Sequence, residues 1–160
     1  MEFLDVVNGQ DEVVGRASKK EVYRRLLTHR IVHIFVFNDK GEMALQLQSR
    51  HKAFCPLHWV SAAAGHVKAG ESYQEAAARE LKEEVGIEKD VSFAHKDLYQ
   101  NGGLKKMIAT FVGQFNGPFK IRPEEVERIE FFSLEKVKEM MSSEKFHPEL
   151  LFLLKRHFDI

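Results

Sequence analysis

The chain has 160 residues, with 24 Lys plus Arg against 24 Asp plus Glu and a formal net charge of +0 at pH 7, so it lacks the broad positive field that draws proteins onto nucleic acid. With 44% hydrophobic and 30% charged residues, 10 Gly and 4 Pro, it has the apolar material for a buried core and none of the bias of a disordered or fibrous chain. Residues 1–160 are read as a single domain, within the roughly 100 to 200 residues usual for one folded unit. The lone Cys55 cannot form an internal disulfide, which points to a reducing, cytoplasmic setting. No apolar stretch approaches the ~20 residues of a membrane span, and Met1 to Asp5 lack a basic segment followed by an apolar one, so neither membrane insertion nor export is expected.

Phe3 to Val7 and Val13 to Gly15, separated by Asn8-Gly9, read as a small hairpin or two edge strands. Ser18 with Glu21 has the form of a capping box and predicts a short helix ending before residue 28. The β-branched and aromatic run Ile31 to Phe37, the turn residues Asn38 to Gly41 and the segment Met43 to Gln48 predict two strands and their connection. Another strand is expected over Trp59 to Ala64, then a loop with Gly65 and Gly70. A second capping box, Ser72 with Glu75, opens a helix from Tyr73 to Val85 that Gly86 should close. Strands over Val91 to Tyr99, Lys106 to Phe115 and Glu127 to Phe132 follow, with helices after Ser133 and after Pro148. Strands and helices mix without repeat or linker, which favours an α/β layered domain.

At about 100° per residue, Glu80, Glu83 and Glu84 fall within one arc of the predicted helix, beside an apolar face of Ala77, Ala78, Leu81 and Val85. Carboxylates three and four residues apart each cost an isolated helix roughly 0.2 to 0.5 kcal/mol. Lys82, or Arg79 pairing with Glu75 and Glu83, would offset this on a solvated face. A hard divalent cation such as Mg²⁺, which takes carboxylate oxygens and keeps water and phosphate oxygens as further ligands, would offset it at a site. Gly65 and Gly70 flank a turn that can present backbone groups beside these acids.

The spacing Gly65, five residues, Glu71, seven residues, Arg79-Glu80-Leu81, one residue, Glu83-Glu84, one residue, Gly86-Ile87 resembles the complete signature of the Nudix hydrolases, over 23 consecutive residues. Gln46, Gln48, Arg50, Lys52, Pro56 and Trp59 are similar to the strand and loop that enter this box. Glu124-Glu125-Val126 to Phe132-Ser133-Leu134 resembles the family's late acidic loop, strand and helix start. The resemblance implies a Nudix-type α/β/α sandwich with a mixed β-sheet. It also implies a hydrolase that cleaves a small-molecule diphosphate, such as a nucleoside diphosphate linked to another moiety, with Mg²⁺ or Mn²⁺ as cofactor. A homodimer is among the assemblies it allows.

By the same resemblance, Gly65 (through its carbonyl), Glu80, Glu83 and Glu84 are the metal ligands, and Glu80, Glu84 and Glu125 the catalytic acids and bases. Glu124 and Glu127 compete with Glu125 for the late-loop role. Arg50 and Lys52 would meet substrate phosphates, and Glu71 with Arg79 would form a structural ion pair. Asp5 to Gly15, Thr28-His29-Arg30 and Gly65-His66 look most like the branch that includes isopentenyl-diphosphate isomerase. That reaction uses a cysteine where this chain has Ala64, and a glutamate pair where it has Leu104-Lys105-Lys106, so isomerase chemistry is not expected. A non-catalytic ligand sensor is the remaining alternative, opposed by the intact glutamate set. Leu57, standing where relatives have glycine, leaves the shape of the preceding loop open. His29 and His66 are read as hydrogen-bonded structural residues, Trp59 and the Phe as core, and Lys19, Lys20, Arg24, Arg25 and Arg30 as a solvated helix face.

Overall fold

The structure, a computed structural model, describes residues 1–160. A hairpin of β1 (Phe3–Val7) and β2 (Val13–Ser18) leads into α1 (Lys19–Arg24), whose cap Ser18 accepts from the Glu21 N–H. The reciprocal half of the expected capping box is missing because Glu21 pairs with Arg24 instead. Seven further strands make one sheet: β3 (His29–Phe37), β4 (Met43–Gln48), β5 (Trp59–Val60), β6 (Ala63–His66), β7 (Ser92–Asn101), β8 (Leu104–Gln114) and β9 (Val126–Phe132). Its order is β5-β4-β3-β8-β7, with β6 on β3 and β9 on β4. Only β3 and β8 run parallel, so the sheet is mixed.

Strand alternation sends the two faces of β3 into different cores. Val32, Ile34 and Val36 pack with Ala77, Leu81 and Val85 of α2 (Tyr73–Val85). Ile31 and Phe35 pack with residues of α3 (Leu134–Met141) and α4 (Pro148–His157) on the opposite side. The result is a helix, sheet, helix sandwich, the α/β architecture expected.

The expected strand over Trp59 to Ala64 is divided. Trp59 and Val60 pair with β4, whereas Ala63 to His66 pair with β3, so the chain changes neighbours at Ser61 and Ala62. The full capping box at Ser72 and Glu75 starts α2, and Gly86, left-handed at φ 71, closes it. The buried arc of α2 contains Glu80 and Glu84 with Ala76, Ala77, Leu81 and Val85, while Ala78 is exposed. The acids therefore sit inside the buried face, because β6 and Gln46 of β4 cover that side of the helix.

Arg30 belongs to β3 rather than to a helix face. Its guanidinium is ion-paired to Asp11 at 2.8 Å and lies over the Tyr73 ring. In the loop after β4, Cys55 and Leu57 both take left-handed backbone, at φ 54 and φ 56. Gln48 fastens this turn, accepting from the Leu57 N–H at 3.1 Å and donating through its side chain to the Cys55 carbonyl at 2.8 Å. Each such residue costs on the order of 1 kcal/mol, which the surrounding hydrogen bonds must offset.

Candidate active site

Gly65 lets α2 approach the sheet at the site. A Cβ at this position would overlap the Glu80 carboxylate, so any other residue would displace it. Ala64, next to it, donates its N–H to Glu84 Oε1 at 3.3 Å, and the Gln46 side chain donates to the same oxygen at 2.7 Å and to the Ala62 carbonyl at 3.1 Å. Burial, reinforced by Glu80 beside it, holds the Glu84 carboxyl well above the ordinary glutamate range. The donors from Gln46 and Ala64 pull the other way and are outweighed.

Arg79 ties the preceding loop to this face. It donates twice to Glu71, at 2.8 and 2.9 Å, and to Glu80 Oε1 at 2.7 Å and the His66 carbonyl at 2.9 Å. Burial works to raise the Glu71 carboxyl, but the hydrogen bonds from Arg79 prevail and lower it. Glu83, 3.4 Å from Arg79, is only loosely held. Of the expected solvated pairings only Arg79 with Glu83 is formed, at 3.4 Å; Glu75 is engaged in the helix cap and Lys82 pairs with Glu88.

Glu80, Glu83, Glu84, Gly65, Glu125 and Lys52 line one cavity of about 190 Å³. Of the late-loop acids, Glu125 faces it, with its carboxylate 2.7 Å from the Lys52 ammonium. Glu127 is turned away to pair with Arg50, which is exposed and does not line the cavity, because that ion pair holds it outward. Glu2, Lys19, Lys68 and Arg122 also line it and were not singled out as site residues in the sequence; Lys19 is therefore not simply part of a solvated face. The N-terminal hairpin brings two of them. Lys19 N–H bonds to the Glu2 carbonyl at 2.9 Å, and Gly70 N–H bonds to Asp5 at 2.9 Å, which fastens the hairpin to the loop before α2. Only these contacts, distant in sequence, could have signalled the role.

His66 hydrogen-bonds through Nε2 to the Tyr23 hydroxyl at 2.6 Å and stacks on His29. Burial lowers His66 to about 2 and His29 to about 4, so both rings are neutral. Cys55 lies outside the cavity, with its thiol pushed up by burial.

The donor set fits a hard divalent cation. Carboxylates and a strand backbone face one polar cavity, and the Glu80 and Glu84 carboxyls crowd each other in a way that added positive charge would relieve. As they stand, no three acids or histidines form a ready chelate, since Arg79 draws Glu80 and Glu83 towards itself.

The site is thus a carboxylate-lined cavity between a capped helix and a mixed sheet. The family model described as NUDIX domain matches residues 27–153, and the chain belongs to that family of hydrolases. It is 33% identical to the uncharacterized Nudix hydrolase PA4841 of Pseudomonas aeruginosa, over 99% of this chain and 94% of that one. It is 29% identical to isopentenyl-diphosphate Delta-isomerase 2 of Photorhabdus laumondii, over 89% of this chain and 83% of that one. The crystal structure of DR0079 from Deinococcus radiodurans superposes with a TM-score of 0.83 at 26% identity, covering 97% of this chain and 98% of that one.

Proposed function

We propose that residues 1–160 act as one domain, a metal-dependent hydrolase that cleaves the diphosphate of a nucleoside diphosphate linked to another moiety by water attack on phosphorus. The observation that supports this best is the convergence of Glu80, Glu83, Glu84 and Glu125 on one cavity beside Gly65. Glu83, Glu84 and the Gly65 carbonyl would hold Mg²⁺ or Mn²⁺, with Glu80 as a further ligand or as the group that orients water. When bound, the ion supplies charge neutralisation for the diphosphate and a more acidic water. Glu125, paired with Lys52, would accept a proton from the attacking water. Lys52 and Arg122 offer positive charge to phosphate oxygens.

The likeness to an isomerase makes proton transfer on isopentenyl diphosphate the second reading. Ala64, which meets Glu84 only through its backbone N–H, has no side-chain proton to give, and Cys55 is elsewhere. The single free cysteine suits a reducing cytoplasm, and no helix is long and apolar enough to cross a membrane. The test is a screen with Mg²⁺ of nucleotide sugars, ADP-ribose, dinucleoside polyphosphates, dNTPs, coenzyme A and prenyl diphosphates. Hydrolysis of at least one diphosphate is expected, with no dimethylallyl isomer formed from isopentenyl diphosphate. Isomer at enzymatic rates, or no hydrolysis anywhere in the panel, would contradict the proposal.

A further inference from the structure

Two residues of the acid cavity, Glu83 and Arg122, also line a second cavity of about 460 Å³ at the C-terminal end of α2, so the two spaces adjoin along a common wall. The remainder of that wall includes Lys82, Glu88, Lys120 and Ile121. Its charges do not cancel locally. Lys82 is paired with Glu88 at 2.9 Å, and Glu83 leans towards Arg79. Lys120 and Arg122 have no carboxylate partner, although most acids near them are engaged.

The position of these two cations is built into the fold. Lys120 N–H donates to the Val85 carbonyl at 2.9 Å and Arg122 N–H to the Glu84 carbonyl at 3.1 Å, so the segment is fastened to the end of the helix that carries the acids. Gly86 makes this approach possible, because a Cβ there would lie 2.8 Å from Lys120 Cβ. A cation near helix C-terminal carbonyls is favourable by itself, and Lys82 in the last turn already meets that need. Two further cations on a wall shared with the acid cavity suit an anion that extends out of it.

We propose that the second cavity is a subsite for an additional phosphate group, so that the preferred substrate carries at least one phosphate beyond the diphosphate that is cleaved. The assignment rests on the diphosphate reading of the neighbouring cavity. Lys120, which lines only the outer space, is the residue that isolates it.

The experiment is calorimetric titration of the full chain in Mg²⁺ with inorganic pyrophosphate and with inorganic tripolyphosphate, for wild type, Lys120→Gln and Lys120→Arg. Tripolyphosphate should bind wild type about tenfold more tightly than pyrophosphate, since each exposed charge contact contributes up to roughly fivefold. Lys120→Gln should weaken tripolyphosphate by roughly fivefold and leave pyrophosphate unchanged, and Lys120→Arg should restore the difference. Equal binding of the two anions to wild type, or equal weakening of both in Lys120→Gln, overturns the subsite. Failure of both anions to bind overturns the subsite and the diphosphate reading together. Length discrimination without hydrolysis of any diphosphate removes only the hydrolase reading, and hydrolysis without length discrimination removes only the subsite.

Discussion

Glu84 and Glu71 are both glutamates of the same box, but their surroundings ask different things of them. Glu84 is buried against Glu80 with only neutral donors, Gln46 and the Ala64 N–H, so its negative charge is a burden to the metal-free fold. Glu71 has the opposite situation, with two hydrogen bonds from Arg79 that lower its pKa. Glu84→Gln should therefore keep or slightly raise metal-free stability while reducing turnover by something on the order of 10² or more. Glu71→Gln should cost about 2 kcal/mol of stability, the scale of a charge-assisted hydrogen bond lost from a partly buried pair. Thermal melting without metal, beside kinetics with it, checks both variants. Wild-type turnover in Glu84→Gln would show that the acid face is misassigned.

At the scale of elements, local chemistry made most of the chain legible. Ser72, Glu75 and Gly86 carry both ends of α2 in their own side chains or lack of them, and the β-branched run of β3 admits no helical reading. The exchange of partners between β5 and β6 was not legible, because Trp59 to Ala64 contains no turn residue such as Gly or Pro and pairing is decided by what lies alongside. The same limit applied to α2. Periodicity placed the three glutamates on one arc but could not say that Gln46 and β6 cover it, so the acids read as adjoining the packed face when Glu80 and Glu84 are within it. Leu57 shows the converse: a residue poorly suited to left-handed backbone adopts it because Gln48 holds the turn from both sides. Lys19, Lys68 and Arg122 reach the cavity from three separate segments, and no motif records such a meeting.

At the scale of the whole molecule, both faces of the sheet bury titratable groups, and this fixes how stability responds to acid. His29 and His147 are lowered to about 4 and His66 to about 2, in each case by burial first, so the folded chain keeps them neutral where the unfolded chain protonates them near 6.5. Their contribution is complete above about pH 6.5 and is lost as pH falls. Glu84, raised, acts in the opposite sense: its contribution is present below about 4.5 and is lost as pH rises through its folded value. Between about pH 5 and 6 three lowered histidines oppose one raised acid, so metal-free stability should fall as the pH falls, by on the order of 1 kcal/mol per pH unit. Urea unfolding at pH 7, 6 and 5 measures this slope, and a flat profile would mean that the histidines are not held neutral by the fold.

The proposed hydrolysis requires the acid face of α2 to hold a divalent cation against a diphosphate. The most direct measurement is turnover of the best substrate from the diphosphate screen by metal-stripped protein, before and after Mg²⁺ or Mn²⁺ is added back. Activity should be absent with chelator and return in full with either ion. Undiminished turnover by the stripped protein would contradict the claim.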